Sequence, residues 1–240
     1  MAAHSEASII EALRKYDTPS IKNVVATYPD NRELCLGLYD PWESDWYTDD
    51  SLRCMYPELG RSVGYAVTFV MGPPQKHASR VTFNDVLRAI DANPKPAIVV
   101  IKANFPDRYM GKCAVSGGNM TTAMQVAGAV GVISDGPSRD IDEIRGMGFQ
   151  YLIKGVTAGH GDFVIQAVNV PVTVAGMGVA PGEVIHMDEN GAVKFPREHL
   201  PGVLARVERL LEAEAVRMGR MRKAADVESL IKALSDFEEA

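Results

Sequence analysis

From residue 63 to residue 153 the chain alternates short apolar runs with stretches of helical spacing, and that alternation admits few architectures. Residues 63–70, 97–101, 113–115, 131–135 and 151–153 read as strands, and residues 83–90, 120–130 and 141–145 as helices. The run at 97–101, Ala-Ile-Val-Val-Ile, carries no polar position and suits a strand covered on both faces. Strands and helices in alternation, joined by short connections, specify an α/β fold.

The ends of the chain follow other patterns. Residues 6–16 place Ile9, Ile10, Leu13 and Tyr16 on one face of a short amphipathic helix, which Asp17-Thr-Pro-Ser20 breaks. Ser20 can cap a second helix, although the run from Asn23 to Thr27 is β-branched and open to either helix or strand. Residues 32–59, rich in Trp and Tyr between 39 and 47, have no period; they read as an elaborated loop whose rings pack locally, cover a pocket or meet a neighbouring subunit. Beyond residue 165 the chain turns β-rich, with strands expected at 170–174, 183–187 and 192–195 and a hairpin at Asp188-Glu-Asn-Gly191, since Asn-Gly suits the positive φ of a two-residue turn. Residues 204–237 read as two helices parted near Gly219. The expected division is an α/β domain over residues 1–200 and a helical extension over 201–240.

Composition narrows the function. With 46% hydrophobic and 23% charged residues among 240, the chain can bury one substantial core. A net charge of -6 gives no electrostatic basis for a nucleic-acid partner, and the basic block at 217–223 reads as the solvated face of a helix. Cys35, Cys54 and Cys113 are odd in number and far apart, which suits neither a disulfide framework nor a zinc knuckle. No window reaches the ~18 apolar residues of a membrane span, and the first residues lack a basic segment followed by an apolar run. A cytoplasmic protein without a membrane partner is expected.

The chemistry concentrates in two loops. Val115-Ser-Gly-Gly-Asn-Met120 opens a helix, where unpaired N–H groups and the positive end of the helix dipole attract an anion. Asp135-Gly-Pro-Ser-Arg-Asp140 adds a guanidinium fork and a carboxylate suited to a hard metal ion. If strand, helix and strand here form a βαβ unit, Gly117 and Arg139 emerge at the same carboxyl edge and face one crevice. Glycine at 117 and 118 lets a ligand approach the Asn119 and Met120 amides. The plainer reading of the same residues is a tight turn beside an exposed Arg139–Asp140 ion pair, worth ~1 kcal/mol or less. No dinucleotide fingerprint or P-loop is present.

The series Gly60-Arg-Ser-Val-Gly-Tyr-Ala-Val-Thr68, Gly117-Gly-Asn-Met120, Gly131-Val-Ile-Ser-Asp-Gly-Pro-Ser-Arg-Asp140, Pro181-Gly-Glu-Val-Ile-His-Met-Asp188 and Asn190-Gly-Ala-Val-Lys-Phe-Pro196 resembles the RraA-like family, in the family's order over roughly residues 8–200. That family includes 4-hydroxy-4-methyl-2-oxoglutarate/4-carboxy-4-hydroxy-2-oxoadipate aldolases, which also decarboxylate oxaloacetate, and regulators of ribonuclease E activity. The resemblance implies a swivelling β/β/α sandwich with N- and C-terminal helices, assembled as a homotrimer or homohexamer with sites between subunits. It implies that Arg139 binds the pyruvyl group of a small 2-oxo acid, that Asp140 holds Mg²⁺ or Mn²⁺, and that the Asn119 and Met120 amides bind the substrate carboxylate. The catalytic pair is then Arg139 and Asp140, with Gly117, Gly118, Asn119, Met120 and Arg139 forming the substrate site.

One position departs from the family. Where the aldolases carry an acidic residue that orients or activates a water, this chain has Gly118. Aldol cleavage is then left with a metal-bound water or a residue of another subunit as its base, whereas decarboxylation of a β-keto acid removes no hydroxyl proton. A non-catalytic regulatory binding protein is the rival from another class. His160, in a glycine loop, is a candidate acid or a solvent-facing histidine; Lys154 would form a Schiff base only in an apolar pocket; His186 reads as structural. Glu11, Glu43, Glu212 and Glu214 are carboxylates that a neighbouring subunit could contribute.

Overall fold

The computed structural model describes residues 5–26, 33–43, 45–74 and 80–235. The expectations for residues 1–4, for Thr27 and Arg32 and for the end of the C-terminal helix at 236–237 lie outside the described residues.

Helix α1 (Glu6–Leu13) buries Ile9, Ile10 and Leu13 of the expected stripe and ends before Tyr16, which is half-buried beyond it. Helix α2 (Thr18–Val25) starts earlier than Ser20. Its cap is Asp17, whose side chain accepts from the Ser20 N–H at 2.9 Å, and Pro19 sits in the first turn, where a missing N–H costs nothing. This start, together with burial of Ile21, Val24 and Val25, makes Asn23–Val25 helical, and Ala26 is already extended in a bridge to Tyr39.

The centre of the molecule is the predicted α/β alternation. In chain order it contains β1 (Arg53–Cys54), β2 (Ser62–Gly72), α3 (Phe83–Ala92), β3 (Ala97–Ala103), α4 (Asp107–Met110), α5 (Gly118–Val126), β4 (Ala129–Ser134), α6 (Ile141–Gly146) and β5 (Gln150–Ile153). Strands β2, β3, β4 and β5 lie side by side and parallel. Then come β6 (Val164–Val168), β7 (Val172–Val174), β8 (Met177–Val179), β9 (Val184–Asp188), β10 (Gly191–Phe195), α7 (Leu200–Arg222) and α8 (Val227–Ser235). The sheet runs β1-β5-β4-β3-β2-β9-β10, with β6 on the far end of β2, while β7 and β8 form a separate hairpin.

Alternation along the strands divides the core. Val99 and Ile101 share one apolar cluster with Val86, Ile90, Met124 and Ile144 of α3, α5 and α6. Ile98, Val100, Ile133 and Leu152 share another with Val174 and Met177 of the β7–β8 hairpin. A third cluster joins α1, α2 and α7 to Val184, Val193 and Phe195. The result is the expected β/β/α sandwich with helices at both ends.

Two local expectations are corrected. Residues 113–115 are buried but not a strand: the Ala114 N–H donates to Gly159 and the Val115 N–H to Pro137, two separate loops, so no ladder forms. The strand before α5 is β3, and an extended connection carries the chain to Gly117. Helix α7 runs through Gly219 to Arg222; the break falls where Asp226 accepts from the Ser229 N–H at 2.8 Å and starts α8. In the 32–59 segment Trp46 is fully buried, stacked on Tyr39 with centroids 5.1 Å apart and edge-on to Tyr47, so these rings pack locally. Strands β6 and β8 escaped the sequence reading because polar Gln166 and flexible Gly178 interrupt their apolar runs.

Candidate active site

Two glycines and one unusual backbone angle create the site. Gly117 precedes α5 in an extended conformation, and the next three amides open the helix without intrahelical acceptors. Asp140 precedes α6 in the left-handed region, φ 59° and ψ 39°, which aspartate tolerates better than most residues. Its carboxylate does not cap the helix it begins. Instead Oδ2 accepts from the Gly118 N–H at 2.9 Å, so one loop caps the helix grown from the other. A Cβ on Gly117 would lie 2.5 Å from that oxygen, and this close approach requires glycine.

Below this contact lies a buried set of hydroxyls. Ser116 Oγ lies 2.8 Å from the Tyr151 hydroxyl, which also meets Thr121 Oγ1. Thr121 Oγ1 donates to the Gly117 carbonyl and Ser138 Oγ to the Ser116 carbonyl, both at 2.8 Å. Burial pushes the Tyr151 phenol above its ordinary range. Asp135 is anchored to β3, accepting from Lys102 Nζ at 2.6 Å and the Ala103 N–H at 2.9 Å. Tyr56, fully buried, donates to the Ile141 carbonyl at 2.7 Å and fixes the start of α6. The separation between the two loops is therefore set from beneath.

Above them opens a cavity of about 340 Å³ lined by Ser116, Gly117, Asn119, Met120, Arg139, Asp140, Glu143 and His160, with Ala114 and Phe163. All the predicted site residues except Gly118 line it, and Gly118 lies at its edge through the bond to Asp140. Arg139 Nε stands 3.5 Å from Asp140 Oδ2, with both side chains a little over one-third exposed. The exposed ion pair of the plainer reading therefore exists, and it forms one wall of a cavity. His160 lines the mouth and is exposed, its Nδ1 3.2 Å from the Gly161 carbonyl. Lys154 is exposed and outside the cavity, without the apolar pocket that Schiff-base chemistry needs. His186 is buried, as a structural role requires.

Sequence reasoning missed Glu143 and the hydroxyl floor. Glu143 stands three residues after Asp140 on α6, so helical spacing puts the two on one side, a signal legible once the helix start is known. Ser116 and Ser138 adjoin the singled-out Gly117 and Arg139, but the contact of Ser116 with Tyr151 and the bond from Ser138 to the Ser116 carbonyl are tertiary facts.

The donor set was tested against a divalent cation. Among the described residues no group of three His, Cys, Asp or Glu could enclose a metal. Asp140 offers a partly exposed carboxylate whose Oδ1 has no hydrogen-bond partner among the described residues, with Glu143 in the same cavity. Few carboxylates and open access suit a hard ion that keeps most of its water, as Mg²⁺ does, and suit a caged ion poorly.

Comparison with known proteins adds the following. The RraA-like family, described as Aldolase/RraA, matches residues 38–194. An uncharacterized protein of Methanocaldococcus jannaschii is 29% identical over 119 residues, 49% of this chain and 57% of that protein. A protein of Halalkalibacterium halodurans, provisionally named 4-hydroxy-4-methyl-2-oxoglutarate aldolase, is 27% identical over 153 residues, 63% of this chain and 64% of that protein. The matches thus span about three-fifths of these two relatives (57% and 64%). The crystal structure of Streptomyces coelicolor RraAS2, described as an unusual member of the RNase ES inhibitor RraA protein family, has a TM-score of 0.63 at 16% identity, covering 90% of this chain and 98% of that one. At that identity the likeness is one of fold.

Proposed function

This chain belongs to the Aldolase/RraA family, and from that premise we propose that it is a divalent-metal-dependent carbon–carbon lyase of 2-oxo acids. Its reactions are aldol cleavage of a 4-hydroxy-2-oxo acid, decarboxylation of oxaloacetate, or both, each passing through pyruvate enolate. The observation that carries the reading is the Gly118–Asp140 bond, which brings a helix start, a guanidinium and a carboxylate to one cavity.

In this reading the substrate carboxylate rests on the Asn119 and Met120 amides, at the positive end of α5. Arg139 grips the 2-oxo end with its planar fork. Asp140 would hold Mg²⁺ or Mn²⁺, which supplies Lewis-acid stabilisation of developing negative charge. As the C3–C4 bond breaks, electron density moves to the C2 oxygen, where Arg139 is placed to neutralise it. Losing one such donor commonly costs about 2.7–4 kcal/mol of transition-state stabilisation. The reading extends to a cytoplasmic homotrimer or homohexamer in which a neighbouring subunit completes the cavity mouth.

Pyruvate release from oxaloacetate and from a 4-hydroxy-2-oxo acid, with Mg²⁺, Mn²⁺ or EDTA, tests the proposal. Metal-dependent release should disappear in EDTA and fall at least about a hundredfold in Asp140→Ala. Turnover indifferent to both would overturn it. Release from neither substrate would favour the regulatory binding protein, the reading that Gly118 supports. Arg139→Lys keeps the charge and loses the fork, so KM for pyruvyl substrates should rise about tenfold or more, equivalent to ~1.4 kcal/mol.

A further inference from the structure

We propose that Glu143 is the proton acceptor for aldol cleavage, admitted to the site because residue 118 is glycine. The inference rests on the lyase reading above and assigns the one group that reading leaves unnamed.

The geometry is specific. A Cβ built on Gly118 would lie 2.4 Å from Cδ and from both carboxylate oxygens of Glu143. Those three atoms therefore fill the space over the first turn of α5 that any side chain at 118 would claim. Each glycine of the pair thus makes room for one carboxylate of the opposite loop, Gly117 for Asp140 and Gly118 for Glu143. The start of a nine-residue helix, with the Asn119 and Met120 amides open, favours negative charge there.

The engagements of the titratable groups in the cavity differ. Asp140 already accepts from Gly118 and faces Arg139. His160 stands at the exposed mouth, near its neighbour's carbonyl. Glu143 lines the same cavity with no hydrogen bond or ion pair among the described residues, so both oxygens are available. In aldol cleavage the C4 hydroxyl gives its proton to Glu143 while C4 becomes a carbonyl. The C3–C4 electron pair forms the C2–C3 double bond, and the C2 carbonyl pair moves onto oxygen. The enolate then takes a proton from water at C3, and Glu143 returns its own to solvent. Decarboxylation of oxaloacetate breaks the corresponding bond with no hydroxyl proton to remove.

That difference supplies the test. Glu143→Gln should lower kcat for cleavage of a 4-hydroxy-2-oxo acid about a hundredfold or more, the usual scale of general-base catalysis, with KM changed by less than about threefold. Oxaloacetate decarboxylation should fall by less than about fivefold. Mn²⁺ and pyruvate binding, followed by calorimetry, should stay within about threefold, since Glu143 is assigned neither role. Gly118→Asp added to Glu143→Ala should restore cleavage at least about tenfold, because the two side chains compete for one space. Equal loss of both reactions, loss of neither, or a collapse of Mn²⁺ affinity in Glu143→Gln would overturn the assignment while leaving the lyase reading intact. A wild-type protein that decarboxylates oxaloacetate but cleaves no aldol substrate would also overturn it alone. One that releases pyruvate from neither substrate would remove the lyase reading as well.

Discussion

Two aspartates in this molecule make the same first contact and have opposite surroundings. Asp140 Oδ2 accepts from the Gly118 N–H at the start of α5, and Asp188 Oδ2 accepts from the Thr18 N–H, 2.8 Å away, at the start of α2. Each has an arginine nearby, Arg139 at 3.5 Å and Arg61 at 4.0 Å. Asp188, however, is 1% exposed, and its other oxygen accepts from the Asn190 backbone and side chain at 2.8 and 3.1 Å. Beside it His186 is enclosed, Nδ1 meeting Thr18 Oγ1 at 2.9 Å and Nε2 the Leu13 carbonyl at 3.2 Å. Residue type and helix capping do not separate a structural carboxylate from the one proposed to be reactive. Unspent bonding capacity facing a cavity does.

The largest effect that could break this contrast is in Asp188→Ala. It strips the carboxylate partner from the buried Thr18 N–H and from two part-buried donors of Asn190, so urea unfolding should show a loss of about 3–5 kcal/mol, with turnover per folded molecule retained. A loss below about 1 kcal/mol would make the two aspartates equivalent after all. Next comes the acid limb. Burial pushes the His186 imidazole down to about 4 from its ordinary 6.5. Between those values the unfolded chain binds the proton and the native one does not, so stability should fall as pH drops through 6.5 towards 4, by roughly 3 kcal/mol. Denaturant curves of His186→Gln should lose that part of the slope; an unchanged slope would show that His186 is not its source. The smallest expected effect is on the folding of Asp140→Ala, about 1–2 kcal/mol: the ion pair is solvent-screened, but the cap on the Gly118 N–H is lost and alanine suits the left-handed backbone less well, while the proposed turnover should collapse.

Legibility in the sequence followed the range of the interactions. The alternation from residue 63 to 153 gave the α/β centre because hydrophobic periodicity is local. The hairpin between β9 and β10 was equally readable, although its two loop residues are Glu189 and Asn190, neither at positive φ, and Gly191, at φ 121°, already opens β10 opposite Asp188. The clustering of Gly117, Asn119, Met120, Arg139 and Asp140 could be anticipated because consecutive parallel strands deliver their loops to one edge. The start of α2 was misplaced by three residues because Asp17 and Ser20 are both good caps, and only the fold chooses between them. Glu143 was legible only in its helical spacing from Asp140, and the rest was hidden for a different reason. Its place depends on a side chain that residue 118 does not have, and an absence carries no periodicity.

The hydroxyl floor of Ser116, Thr121, Ser138 and Tyr151 has a consequence for how the protein meets changing surroundings. Its members are uncharged, and enclosure keeps the phenol so through mildly alkaline solution. Ionic strength, which screens exposed charges within about 10 Å at 0.1 M, has little hold on such contacts. Added salt should therefore weaken the proposed grip of Arg139 on an anionic ligand while the gap it reaches across keeps its width.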